Sequence, residues 1–224
     1  MRRKGVLIDI EGLDSCGKET QTKLLAEYLR SRGIATTTVS FPDYEDQSCF
    51  FVKEYLGKSY GDNPSLVNPY TASTFYALNR YHTYMKKWKE SYDRGDIIVA
   101  DRYVNSNLIH QLSKCEDDSQ RNAFVTWLYD LEFNRNEIPR PSVTIFLDMN
   151  PDISDKLCRE RAEKTGIPLD LHESNRKYLR ECYAEAKKLS NKLGWEEVTC
   201  YDKEGYLPID TIHQNIIRIV EKYI

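Results

Sequence analysis

Gly5-Val6-Leu7-Ile8-Asp9-Ile10-Glu11-Gly12-Leu13-Asp14-Ser15-Cys16-Gly17-Lys18-Glu19-Thr20 is the stretch from which the fold of this chain can be read. Its first six residues form a short, mostly apolar run, the pattern of a strand covered on both faces in a parallel sheet. From Lys18 to Arg32 the residues Leu24, Leu25, Tyr28 and Leu29 recur at helical spacing, and Gly33 follows as a C-terminal cap. Between the two, Gly12 to Lys18 fits G-x-x-x-x-G-K, the pattern of a phosphate-binding loop. Glycines let the backbone wrap a phosphate with its N–H groups, and the helix start adds the positive end of its dipole. Lys18 supplies a full charge for the β- and γ-phosphates. The residues for a nucleoside triphosphate therefore run from Gly12 to Thr20; an ordinary strand-to-helix turn is the bland alternative.

One position departs from the pattern. Glu19 stands where the motif asks for a Ser or Thr hydroxyl to bind Mg²⁺. Thr20 is one place late and points about 100° further round the helix. Glu19 either binds Mg²⁺ itself, directly or through water, or is a solvated glutamate favoured by the helix dipole. Both readings stay open at this level.

Outward from the loop, strands and helices alternate. Thr36–Phe41 is rich in β-branched residues and reads as a strand stopped by Pro42. Cys49–Leu56 reads as a short helix, 57–70 as a loop with Gly57, Gly61, Pro64 and Pro69, and Thr71–Arg94 as one long helix with Thr71 as N-cap. Ile97–Ala100 is a buried-type strand ending in Asp101, with helical segments at about 104–114 and 118–135 after it. Val143–Leu147 is a strand ending in Asp148; Pro151 starts a helix; 164–172, with Gly166 and Pro168, reads as a mobile loop. Glu173–Leu193 is helical, Glu197–Tyr201 the last strand, and Ile209–Tyr223 the last helix. Five interleaved strands imply α/β architecture: a three-layer P-loop NTPase fold, with a five-stranded parallel sheet flanked by helices. No linker divides the 224 residues, so a single kinase-type domain spanning 1–224 is expected.

Composition narrows the function. The net charge is −3, which argues against a general nucleic-acid binder. No apolar stretch approaches the roughly 18 residues that cross a bilayer. The basic start Met1-Arg2-Arg3-Lys4 soon meets Asp9 and Glu11, unlike a signal peptide. The six cysteines are never closer than 18 residues and form no C-x-x-C pair, so reduced thiols in a cytoplasmic protein are expected, without a structural metal. A GTPase would show N-K-x-D after a strand; Asn191-Lys192-Leu193-Gly194 is only a near match, at a helix end.

Ala100-Asp101-Arg102-Tyr103 adds a second charged strand end. Its carboxylate suits Mg²⁺-bound water and its arginine suits two phosphates, although Asp-Arg is equally at home as a structural ion pair. With this segment the chain resembles the thymidylate kinases, which phosphorylate dTMP with ATP. The resemblance rests on Ile10-Glu11-Gly12-Leu13-Asp14 through Thr20-Gln21, Phe41-Pro42, Tyr76-Ala77-Leu78-Asn79-Arg80, Asp101 to Asn107, and Pro139-Arg140-Pro141 before Phe146-Leu147-Asp148. It covers nearly the whole chain.

The resemblance implies roles. Tyr76 would stack on thymine, with Phe41 beside the substrate, and Arg80 would bond a base carbonyl. Asn107 would read the N3 edge, Asp14 would accept from the ribose 3′-OH, and Tyr103 would crowd the 2′ position. Arg102 would hold the dTMP phosphate and follow charge into the transition state, with Lys18 on the triphosphate and Asp101 (or Glu19) toward Mg²⁺. Without the resemblance, Tyr76 reads as a core aromatic and Asn107 as a local turn contact. Arg159 and Arg161, with Lys164, would belong to a lid at about 159–173, although Glu160 and Glu163 between them equally fit a solvated helix face. Ser15 stands where some members carry arginine, and members lacking that arginine place the basic residue in the lid. Leu171 and Asp43 stand where the family commonly has arginines, leaving the rest of the phosphate clamp unassigned. A homodimer is also implied. The competing functions are another P-loop kinase, for a deoxynucleoside or a different monophosphate, and a nucleotide-binding switch with degraded catalysis.

Overall fold

The computed structural model describes residues 4–224; the basic Met1–Arg3 and the reading placed on them lie outside the described residues. Five strands, β1 Val6–Gly12, β2 Thr36–Ser40, β3 Ile97–Asp101, β4 Val143–Asp148 and β5 Glu196–Thr199, form one parallel sheet in the order β2-β3-β1-β4-β5. The helices are α1 Lys18–Ser31, α2 Phe50–Leu56, α3 Pro69–Thr83, α4 Lys89–Arg94, α5 Asn105–Gln111, α6 Asp118–Tyr129, α7 Pro151–Thr165, α8 Arg176–Leu193 and α9 Ile209–Val220. The expected three-layer α/β fold with five parallel strands is what forms.

Alternation along the strands explains the layers, because successive side chains point to opposite faces. Leu7, Ile98, Ala100 and Phe146 pack on one face with Trp88, Leu108, Phe124 and Ala186. Ile8, Ile10, Val99 and Ile145 pack on the other with Leu25, Leu29, Ile216 and Val220. Burying each of the leucine, isoleucine and valine side chains among these contributes about 1.5–3 kcal/mol. Ile10 is paired with Asp101, so the carboxyl ends of β1 and β3 lie side by side, where open parallel sheets place their ligands.

Several boundaries differ from the sequence reading, each for a local reason. The long helix begins at Pro69, and its N-cap is Asn68, whose Oδ1 accepts from Thr71 N–H at 2.9 Å. Thr71 therefore supplies a donor to the cap and is not the cap itself. The helix then passes through a π turn at Tyr84–Trp88, which buries both of those aromatic rings, 4.6 Å apart, before α4. A second π turn, Asp130–Arg135, follows α6. The helix expected from Glu173 starts at Arg176, capped by Asn175 Oδ1. The N-K-L-G near match lies at the end of that helix, as expected.

The six cysteines are separate buried thiols. Among the described residues no helix is long and apolar enough to cross a membrane.

Candidate active site

The phosphate-binding loop follows β1 directly. Gly12 has no room for a side chain, because a Cβ would lie 2.6 Å from Cys16 Sγ and 3.0 Å from the Leu147 carbonyl oxygen. Gly17, at φ 94°, is the left-handed N-cap of α1. Lys18 is almost fully buried and folds its ammonium back over the loop, donating to the Leu13 carbonyl at 2.5 Å.

Glu11 anchors the second segment. Its fully buried carboxylate accepts from Tyr103 N–H at 2.9 Å and from Ser106 Oγ at 2.6 Å. Those bonds hold the turn after β3, where Arg102 sits at φ 66°, a conformation uncommon for residues other than glycine. Strain of this kind, of order 1–3 kcal/mol, is found where the surroundings over-determine a functional position. The Arg102 guanidinium donates to the Gly12 carbonyl at 3.0 Å and pairs with Asp14. Burial pushes the Asp14 carboxyl up, but the charges of Arg102 and Lys18 outweigh it and hold the group well below the carboxylate range. Glu11 was not singled out from sequence; its place two residues from Asp9, in an otherwise apolar strand, was the available signal.

Two cavities meet at this arginine. The smaller is lined by Tyr76, Arg80, Asn107, His110, Gln111 and His172, among others. The larger, of about 740 Å³, runs over the phosphate loop past Lys18, Lys23, Thr20, Asp101 and Arg161. Asp14, Phe41, Pro42, Tyr44, Arg102 and Asp170 line both. The arrangement suits two phosphate-bearing molecules placed end to end, with Arg102 and Asp14 at the join.

The smaller cavity brings together all seven of the predicted substrate residues. Asn107 is 3% exposed and its Nδ2 has no partner, a buried donor of the kind that a ligand satisfies. Gln111, fully buried one turn later on α5, leaves both amide atoms unpartnered. Helical spacing from Asn107 would have found it. Arg80 lines the cavity, but its guanidinium is committed to Glu132 at the π turn after α6, and it also donates to the Tyr103 carbonyl at 3.3 Å. The Tyr103 hydroxyl donates to the Pro139 carbonyl at 3.0 Å, so the ring, not the polar tip, borders the cavity.

His110 and His172 were missed. Their rings stack 5.0 Å apart with planes 15° off parallel, on one wall of the small cavity. Burial keeps both neutral and pushes His110 down to about 3. The unfolded chain, with histidines near 6.5, binds protons that the folded pair refuses, so stability should fall as pH drops from about 6.5. Thermal unfolding followed between pH 7.5 and 5 should show this loss, and His110→Gln should flatten the slope; a slope unchanged in the variant would remove the pair from the pH response.

The lid separates its two arginines. Arg161, one turn after Leu157, reaches the large cavity and is gripped by both Glu173 oxygens at 2.8 Å. Arg159 turns to Asp155, at 3.0 and 3.2 Å, and lines neither cavity. Leu171 is buried against α2 and its N–H donates to the Leu56 carbonyl at 3.1 Å, so it closes the lid corner as an apolar plug. Asp43 pairs with Lys87 at 2.5 Å, away from both cavities. Besides Lys18 and Arg102, the cations that line the large cavity are Lys23 and Arg161. Glu19 is exposed and paired with Lys23 at 2.5 Å, whereas the Asp101 side chain has no hydrogen-bond or ion-pair partner among the described residues. Burial raises the Asp101 carboxyl.

Comparison with known proteins points the same way. A family model described as thymidylate kinase matches residues 10–204. Thymidylate kinase of Mycobacterium tuberculosis is 30% identical over 164 residues, 71% of this chain and 73% of the relative. That of Thermoanaerobacter pseudethanolicus is 27% identical over 99% of this chain and all of the relative. A solved structure of thymidylate kinase from Candida albicans superposes with a TM-score of 0.71 at 22% identity, covering 98% of this chain and 92% of that one; at this identity the likeness bears on fold.

Proposed function

This chain belongs to the thymidylate kinase family, and on that premise we propose that it holds ATP in the large cavity and dTMP in the small one, with transfer across Arg102. The enzyme is a dTMP kinase: it moves the ATP γ-phosphoryl group to dTMP, giving dTDP and ADP. The observation that carries the site assignment is the join of the two cavities at Arg102 and Asp14. Phosphoryl transfer needs little covalent chemistry from the protein; it needs in-line positioning, exclusion of water and charge stabilisation.

Each residue then has a task. The loop N–H groups and Lys18 hold the triphosphate, and Lys23 and Arg161 line its outer wall. Arg102, pre-set by Glu11 and Asp14, binds the dTMP phosphate and stays with the charge as it develops. Tyr76 covers the thymine, and Asn107 and Gln111 meet its polar edge. Asp14 accepts from the ribose hydroxyl. Arg159 braces the lid through Asp155 and does not touch phosphate.

A magnesium ion fits at Asp101, whose unpaired carboxylate faces the cleft beside Lys18. When bound, such an ion neutralises part of the triphosphate charge. Glu19, taken up by Lys23, is the weaker metal partner. In a dTMP-dependent ADP-release assay, Asp101→Asn should raise the Mg²⁺ needed for half-maximal rate. Glu19→Gln should leave that curve in place and change stability by only a few tenths of a kcal/mol. The reverse pattern would move the metal role to Glu19, and ADP release indifferent to dTMP would sink the functional reading.

Leu78, Tyr81 and Met85 form an exposed apolar stripe at helical spacing along α3 and its π turn, and Phe50 on α2 is 58% exposed. We assign this surface to a second copy of the chain, in a cytoplasmic homodimer. Light scattering should give twice the chain mass, and Leu78→Glu with Tyr81→Glu should halve it; a monomeric parent protein would overturn the assignment.

A further inference from the structure

The lid contributes to the dTMP pocket through a residue that none of the phosphate chemistry uses. His172 follows the plug residue Leu171, and its backbone N–H is held by Asp170 Oδ1 at 2.8 Å. The ring reaches back into the small cavity. Its Nε2 lies 3.0 Å from the Tyr55 hydroxyl. That hydroxyl oxygen in turn accepts from Lys114 Nζ at 3.0 Å, and Lys114 also donates to the Val67 carbonyl at 3.1 Å.

The direction of this chain follows from which groups can donate. An amine nitrogen held between two oxygens donates to both, so the Tyr55 oxygen is already an acceptor. Its own proton then goes to the remaining neighbour, His172 Nε2. Burial keeps the His172 ring neutral, so a ring whose Nε2 accepts carries its single proton on Nδ1. Nδ1 has no partner among the described residues, while the ring borders the pocket. A donor in a pocket that also offers the Asn107 and Gln111 amides fits an oxygen acceptor on the ligand.

We propose that His172 is a specificity-determining residue of the acceptor site, donating Nδ1–H to an acceptor oxygen of the dTMP nucleoside in the tautomer set by Lys114 and Tyr55. The assignment rests on the small cavity being the dTMP site. It gives the lid a direct stake in the acceptor, because the same segment carries Glu173, which grips Arg161 at the triphosphate. Tyr55 and Lys114 are positioning residues; they touch His172 and each other.

Nitrogen-15 spectra of the four histidine rings test this directly, with the His172 signals identified by their loss in His172→Gln. The expected result is an Nδ1–H tautomer with unprotonated Nε2, and a shift of the Nδ1 signal on adding dTMP. Tyr55→Phe should mix the tautomers and raise the dTMP KM several-fold, with the ATP KM unchanged. His172→Leu should raise the dTMP KM by about tenfold, the loss of one buried hydrogen bond. An Nε2–H tautomer in the dTMP complex overturns the proposal. So does dTMP that shifts the Asn107 and Gln111 side-chain amides while His172 stays unmoved, which leaves the substrate site standing. If dTMP shifts none of these groups, the site assignment falls and takes the proposal with it.

Discussion

Replacing Arg102 with methionine should lower kcat by at least about 10²-fold, with the ATP KM nearly unchanged. Methionine keeps much of the stem but removes the charge that sits where the two cavities join. Both side chains suffer the same backbone penalty at φ 66°, so that strain does not separate variant from parent. The variant also strips Asp14 of its main counter-charge. Some stability is therefore lost as well, and the rate must be expressed per folded molecule. A variant that is less stable but turns over normally would make Arg102 a structural partner of Asp14 only.

The second large effect falls on stability. Arg80 is 1% exposed and Glu132 is fully buried, and the two form an ion pair inside the core. The guanidinium also lies 5.9 Å from the Phe41 ring centroid and 5.8 Å from that of Tyr103. Glu132→Ala leaves this cation buried without its counter-ion and should cost about 3–5 kcal/mol, a drop in melting temperature on the order of 10 °C. Arg80→Ala is then a poor probe of base recognition, because it unpairs Glu132 at the same time. The double change Arg80→Met with Glu132→Leu removes both charges, and apolar replacements of buried pairs are often close to neutral. It should recover most of the stability while the dTMP KM stays raised by about tenfold. Recovery of both stability and dTMP affinity would confine Arg80 to the core.

Much of the site was legible in the sequence because its parts are local. Gly12 to Lys18 act through backbone geometry within seven residues, and Asp101-Arg102 terminate a strand whose neighbour in the sheet is the strand before the loop. Tyr76, Arg80 and Asn107 share the small cavity as the resemblance implied. What could not be read depends on distant pairings. Glu132 meets Arg80 across 52 positions, and His172 meets Tyr55 across 117. No periodicity reports such contacts. The split between Arg159 and Arg161 was within reach of helical spacing, since two residues apart on a helix point to different sides. Glu19 pairs with Lys23, one turn later, a partner that the sequence did contain. The boundaries that moved, at Asn68 and Asn175, moved because an asparagine before a proline or an arginine capped the helix more effectively than the residue first chosen.

The central claim is that the two joined cavities pass a phosphoryl group from ATP to dTMP, and the most direct measurement is ADP release with ATP and a panel of acceptors. Thymidine, dTMP, dUMP, dCMP and AMP should each be supplied at equal concentration. The predicted result is rapid turnover with dTMP, slower turnover with dUMP, and none with thymidine, which brings no phosphate to Arg102. Turnover with thymidine equal to that with dTMP, or no dTMP-dependent ADP at all, would contradict it.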